Sequence, residues 1–437
     1  MNPLQGFRDF FPEEMAHRNH LFAAWRRVAR RYGFEEYDGP PLEQLELYTR
    51  KSGEEIVRQL YHFTDKGGRE VALRPEMTPT LARMMASRAR ILPKPIKWFS
   101  IPQLFRYERK QRGRLREHFQ LNMDIIGAPE AEADVELLAA ALDIQRELGL
   151  TPEDVAARIN DRRLVSAALS LLEVPEERIP AVYNSIDKFR KVPEESFRAM
   201  LSDAGVPSSH VDELHRLCAS RFSLADWFSG RLPGSGFGEA RAALDSFERC
   251  LELLREQGLG DFIEVDFSVV RGLAYYTGIV FELYDRKGEL RAICGGGRYD
   301  DLIASLGGPD LPALGFGMGD VVLTELLRGR HLLPEPKPRV QAVVIAVGEE
   351  LFSAARQVTR RLREAGISAE TPFSPAGVGK DLRSANQSRA HFAVIVGPEE
   401  WSEGEAKLKD LRSGNEERFA LDALAAAIRR STRADSP

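Results

Sequence analysis

Cysteine is scarce in this sequence: three residues in 437, at Cys218, Cys250 and Cys294. They lie far apart and never form a CxxC pair, which argues against a disulfide framework and against protein-ligated zinc. A reducing cytoplasm fits that usage. No apolar run is long enough to span a membrane. The N-terminal MNPLQGFRDFFPEEM lacks the basic-then-apolar order of a secretory signal. Nor is charge of one sign in excess, since 61 Lys and Arg stand against 66 Asp and Glu, a net of −5. Nothing global announces nucleic-acid binding, so any such affinity must come from a local basic surface. Internal repeats and low-complexity tracts are absent. His210 and His215, five apart, suit the surface better than one shared helical face.

What is there is a hydrophobic fraction of 43%, enough for real cores, in a chain too long for one small domain. Residues 12–32 predict an amphipathic helix: Leu21, Phe22, Trp25, Val28, Ala29 and Tyr32 make one stripe, between Pro12 and Gly33. Residues 96–126 read as two strands around a cationic loop, followed by a helix over 131–148 that stops at Gly149. From 161 to about 255 helical patterns dominate, and β-rich patterning resumes only at 261–284. PEPKPR (334–339), with three prolines in six residues, is the clearest linker. After it, strand and helix alternate: a strand at 340–347, helices at 349–365 and 378–389, a strand at 392–396, a hairpin and a last helix at 421–430. The expected organisation is a first unit over 1–330 with a helical insertion at about 165–255, a linker at 331–339, and an α/β unit over 340–437.

The densest chemical signal is FRYERKQRGRLREHFQLNMD (105–124). Between 106 and 116 it carries Arg106, Arg109, Lys110, Arg112, Arg114 and Arg116 against one acid, Glu108. Such a run is usually a solvated face. The adjoining residues change the weighting: Leu121, Met123 and Ile125 alternate with Gln120, Asn122 and Asp124. A period of two puts the polar three on one face of a strand. Guanidinium groups bind phosphate oxygens in pairs and keep their charge. A row of amide and carboxylate beside them suits a small zwitterion, so nucleotide plus amino acid is the natural ligand set.

Two further segments supply matching parts. LRPEMTPT (73–80) places Arg74, Glu76 and Thr78 on alternate residues, where a carboxylate and a hydroxyl would share a face. VRGLAYYTGIVFE (270–282) sets Arg271 four residues before Tyr275 and continues through Tyr276 into an alternating strand. Those phenols suit either ordinary β packing or a ligand that completes their hydrogen bonds. CGGGRYDDL (294–302) has no Lys-Ser/Thr after its glycines and so is no phosphate loop. Adjacent glycines mark a turn, or a place where backbone approaches a ligand closely.

Together these residues resemble class II aminoacyl-tRNA synthetases, and within them the histidyl-tRNA synthetase family of bacterial and organellar type, over nearly the whole chain. YDGPPLE (37–43) resembles the first class II motif, a proline-containing dimer element with Pro40 in its usual place. FRYERKQRGRLREHFQ is similar to the second. The resemblance implies that Arg106 grips the α-phosphate of ATP, that Glu108 sits by the adenine, and that Arg114 reaches the γ-phosphate. His118 or Phe119 would stack on the base. LRPEMTPT resembles the family's RPEGT element, implying Glu76 and Thr78 at the histidine amino group with Gln120. RGLAYYTG and GGGRYDDL resemble the two histidine-specific signatures, implying Arg271 as the catalytic arginine and Tyr275, Tyr276, Gly295 and Tyr299 around the amino acid. Asp124 and Tyr276 are the expected imidazole contacts, because a carboxylate and a phenol together fix a ring tautomer.

The C-terminal segments VQAVVIAVG, HFAVIVG and LKDLRSG resemble an α/β anticodon-binding domain. The implied fold is an α+β catalytic domain with an antiparallel sheet, a helical insertion and that C-terminal domain. The implied partners are L-histidine, ATP with Mg²⁺, tRNA(His) and a second copy of the chain, with no membrane. Two positions depart from the pattern. The third class II motif ends in Gly-x-Glu-Arg, whereas GFGMGDVVL puts Val321 and Val322 there; and the order His118-Phe119-Gln120 differs from the usual Phe two residues before Gln. The missing arginine also suits an inactive paralogue of the kind that regulates ATP phosphoribosyltransferase. Those paralogues lack the C-terminal domain.

Overall fold

The N-terminal apolar stripe folds as its spacing predicts. In the computed structural model Pro12–Arg31 is an α-helix with Glu13 and Glu14 in its first turn and Arg30 and Arg31 in its last. Those charges complement the helix dipole at both ends. Leu21, Trp25 and Val28 are buried, and each such side chain contributes roughly 1.5–3 kcal/mol by leaving water. They pack with a second helix, Ala131–Glu147, which ends where Gly149 takes a φ of 84°. The structure describes residues 1–49, 58–109, 111–219, 224–232, 238–270, 276–305, 307–335, 338–374 and 376–433.

Both helices lie on one face of a nine-stranded sheet. Its strands run in the order Glu35–Glu36, Ile96–Ser100, Glu117–Ile126, Ala313–Gly319, Cys294–Arg298, Ile279–Asp285, Val155–Asp161 and Ile263–Val265. A ninth, Gln103–Phe105, pairs with the start of Glu117–Ile126. Neighbours are antiparallel except the two edge pairs, which are parallel. Residues 96–126 hold three strands where the pattern predicts two, because Pro102, with no N–H for a ladder, falls between Ser100 and Gln103. The three adjacent glycines form no turn. They run through a central strand.

Between Val155–Asp161 and Ile263–Val265 the described chain leaves the sheet through helices from Arg162–Leu171 to Gly238–Glu256. Leu169, Val182, Phe197, Leu214 and Phe247 of these helices share one core with the sheet's helical face. On the opposite face Leu81 and Met85, from the helix Thr78–Arg88, pack with Ile96, Ile126, Tyr299 and Leu302. A small antiparallel sheet of Leu42–Gln44, Glu70–Leu73 and His62–Thr64 precedes that helix.

Contacts divide the chain into Met1–Pro334 and Glu335–Pro437. The second unit has its own five-stranded sheet, ordered Ala369–Glu370, Ala342–Ala346, Phe392–Val396, Glu405–Asp410 and Glu416–Ala420. Its first three strands are parallel, as strand–helix–strand crossovers require, and the last two form the expected hairpin. Val358 and Leu362 of Phe352–Glu364 and Ile428 of Leu424–Arg433 cover one face; Ala385 of Val378–Gln387 covers the other. The two-residue strand Ala369–Glu370 is too short to leave an alternating signal.

Candidate active site

Alternation along Glu117–Ile126 sends Leu121, Met123 and Ile125 into the helical core and Gln120, Asn122 and Asp124 to the other face. The neighbouring strand sets Gly319, Gly317 and Gly315 directly opposite those three polar residues. The glycines are what make room. A Cβ at Gly317 would overlap Gln120 Nε2, and one at Gly315 would overlap Asp124 Oδ1 and lie 2.9 Å from the Tyr299 hydroxyl. One strand further, Gly295 pairs with Gly317, and the nearest atom over it is Glu282 Cγ at 3.9 Å. Two glycine-bearing strands thus floor an open hollow walled by polar side chains.

Asp124 is buried and accepts a hydrogen bond from the Tyr299 hydroxyl. Burial pushes its pKa up to about 7, although the Tyr299 bond pulls the other way. Burial also raises the Tyr276 phenol, helped by Cys294 and by the carboxylates of Glu282, Asp124 and Glu76. Tyr276 therefore stands near three acids, a setting for a ligand that brings cationic or N–H groups. Glu76 is buried there as well. It does not share a strand with Thr78, because the strand ends at Leu73 and Thr78 opens a helix. The expected alternation of Arg74, Glu76 and Thr78 fails because Pro75 and Pro79 break the ladder. Arg74 is spent on structure, donating to Asp38, Gly39 O and Gln103 O.

The Arg-rich loop opens with Arg106, whose Nε donates to Pro75 O at 2.9 Å. Glu108 and Arg114 pair with each other, so a nucleotide would compete with that carboxylate for Arg114. Arg112 pairs with Glu325 at 3.4 Å, and Arg116 lies 4.2 Å over the Tyr107 ring. Phe119 turns away from the polar row: it packs edge-on to Phe10 and Phe22, with Arg18 stacked over it at 4.8 Å. His118 takes the Gln120 side by alternation. Burial, then the charges of Arg106, Arg8 and Arg114, push its pKa down to about 3, so its ring is neutral near pH 7. Lys110, Arg271 and Tyr275 lie outside the described residues.

Comparison with known proteins matches this arrangement to a histidyl-tRNA synthetase family model over residues 6–320. The chain belongs to the histidyl-tRNA synthetase family. Residues 341–431 match a model described as an anticodon binding domain. The chain is 45% identical to histidine–tRNA ligase of Opitutus terrae over 98% of its length and 97% of the relative's. It is 42% identical to the chloroplastic/mitochondrial histidine–tRNA ligase of Arabidopsis thaliana, covering 97% and 86%. The crystal structure of histidyl-tRNA synthetase from Nostoc superposes with a TM-score of 0.84 at 26% identity, covering 99% of each chain.

Several residues of this synthetase-family site carried no sequence signal. Arg8 donates to Glu117 at 2.6 Å and to Asp320 at 2.9 Å, and Asp320 also accepts from the Phe119 N–H. This clamp joins the N-terminal segment, the Glu117–Ile126 strand and the start of the helix Asp320–Gly329. Its members lie 109 and 312 positions apart, beyond any local pattern. Glu282 is the other omission, an ordinary strand residue by sequence that becomes a wall of the hollow only through its register with Gly295. Beside the loop, on the Phe119 side of the strand, a cavity of about 530 Å³ is lined by Arg8, Phe10, Arg18, Arg112 and Glu325 among others.

Proposed function

We propose that this chain is a cytoplasmic, homodimeric histidine–tRNA ligase that activates L-histidine with ATP and transfers it to the 3′ end of tRNA(His). The observation that carries the reading is the buried Asp124–Tyr299 pair above the glycine floor, within a family match that spans both units. In the first step a histidine carboxylate oxygen attacks the α-phosphorus and the bond to the bridging oxygen breaks, giving histidyl-adenylate and pyrophosphate. In the second, a terminal tRNA hydroxyl takes the histidyl group and AMP leaves. The protein's task is in-line positioning and charge stabilisation.

Arg106 and Arg271 serve the α-phosphate, with Glu108 and Arg114 toward the rest of the nucleotide and His118 as the ring facing the base. Glu76, Thr78 and Gln120 take the histidine amino group. Asp124, Tyr275, Tyr276, Gly295 and Tyr299 surround the side chain, where Asp124 accepts an imidazole N–H. Magnesium accompanies ATP. Its usual ligands are substrate phosphate oxygens, water and one or two carboxylates. Glu335–Pro437 reads the anticodon.

The test is ATP–pyrophosphate exchange with a panel of amino acids. Histidine alone should support it, since a site built to hydrogen-bond a polar side chain rejects analogues lacking it by about 10⁴ or more. Absence of exchange from the folded protein with tRNA present overturns the reading. Val322 would then favour the regulatory paralogue.

A further inference from the structure

Gly113, at the tip of the Arg-rich loop, has a φ of 71° and lies against the start of the helix Asp320–Gly329: a Cβ built on it would stand 3.2 Å from Val322 Cγ2. Only 3.8 Å from that same point is the Cδ of Arg291. Arg291 belongs to the segment leading into Cys294–Arg298, which is held across the helix start by the Gly319 N–H bond to Ile293 O. So a valine and an arginine from two separate elements meet over one glycine.

The charges around this point are unevenly satisfied. Arg112 is paired with Glu325 and Arg114 with Glu108. Arg291 is exposed, and among the described residues its guanidinium has no carboxylate; it donates to the side-chain oxygen of Gln111 in the loop. An amide holds a guanidinium in place without neutralising it. Such a group presents a planar fork of donors to any anionic oxygens that enter beside the loop. Val322 presents only methyl groups there, and it is buried in the main core.

We infer that Arg291 is a nucleotide-binding residue, supplying from the neighbouring segment the cationic contact that Val322 cannot make. The inference rests on the reading that the Arg-rich loop binds ATP. The Arg291 stem already lies over Gly113, so its guanidinium needs only side-chain rotation away from Gln111 to reach phosphate oxygens or the edge of a base. Loss of a ground-state contact of this kind raises the Michaelis constant for ATP and leaves turnover nearly unchanged.

The experiment measures histidine-dependent pyrophosphate exchange by the full chain and its Arg291→Gln, Arg291→Lys and Gln111→Ala variants, with thermal melts beside each. Arg291→Gln should raise the Michaelis constant for ATP by about tenfold or more, the scale for losing a charge-assisted bond. Arg291→Lys should fall between Arg291→Gln and the parent. The Michaelis constant for histidine and the melting temperature should stay at parental values, because the side chain is exposed. Gln111→Ala should change the ATP constant by less than about threefold, well short of that charge-assisted loss. An unchanged ATP constant in Arg291→Gln overturns the inference, as does an equal rise in Gln111→Ala, which would make Arg291 a mere tether for the loop. If the parent shows no exchange with histidine, the underlying assignment fails and the inference falls with it.

Discussion

Tyr299 and Asp124 stand on either side of a strand that separates them, and the phenol reaches the carboxylate directly over Gly315. A side chain at 315 would fill the space that this bond crosses. The sheet thus brings an acid and a phenol, 175 positions apart, into one buried pair.

The first prediction concerns the pH response of that pair. Asp124 titrates near 7 in the folded protein, against about 3.9 for an unfolded aspartate. A raised folded pKa gives stability that is complete below the unfolded value and is lost as pH rises through the folded one. Chemical denaturation of the unliganded protein from pH 4 to 9 should show the parent losing stability relative to Asp124→Asn over pH 4–7, then running parallel to it. A difference that does not change with pH would show that Asp124 ionises normally.

The second prediction contrasts two glycines. Gly317→Ala would meet the far end of the Gln120 side chain, which can swing away at little cost to folding. It should raise the Michaelis constant for histidine by about tenfold or more if, as proposed, the Gln120 amide takes the histidine amino group in a charge-assisted bond, with melting nearly unchanged. Gly296→Ala would meet Phe316 Cβ at 2.5 Å and Gly315 O at 2.7 Å, both held by the sheet. It should destabilise the protein by about 1–3 kcal/mol. Equal melting of the two variants would remove the distinction between floor and packing.

The third concerns the clamp. Arg8→Ala leaves Glu117 and Asp320, 1% and 3% exposed at their side chains, without their cation. Breaking one partner of a buried pair costs about 3–5 kcal/mol, and Asp320's remaining bond to the Phe119 N–H places this case at the lower end. Urea denaturation near pH 7 measures it. A loss under about 1 kcal/mol, the value of a surface pair, would show that water replaces the guanidinium freely.

The fourth separates the two units. Each has its own core, so a chain ending at Pro334 should fold and retain measurable histidine activation. Transfer to tRNA should fall by about a hundredfold or more if the proposed anticodon contacts are lost with their share of binding energy. Charging by the truncated protein at the full-length rate would remove the anticodon-reading role from Glu335–Pro437.

Much of this was legible in the chain itself. The stripe of Leu21, Trp25 and Val28, the alternation of Gln120, Asn122 and Asp124 with apolar neighbours, and the prolines around 334–339 are local patterns. Each arises from the fixed period of a helix or strand, or from a missing N–H. What misled was also local: Arg74, Glu76 and Thr78 alternate in sequence, yet two prolines and a helix start deny them a common strand. The three glycines at 295–297 suit a turn equally well by composition, and only the strands on either side decide that they lie in a sheet.

By itself, then, the sequence determined which residues could do chemistry and the period on which they repeat, because propensity and alternation act over a few residues. Tertiary structure alone decided that Gly315 and Gly317 clear space for Asp124 and Gln120, that Tyr299 completes Asp124, and that Arg8 holds Glu117 and Asp320 together. It also decided that Arg291 meets Val322 over Gly113. The reason is physical. Strand register and long-range ion pairs depend on closing loops of a hundred residues or more, and the free energy of that closure is settled by the whole core.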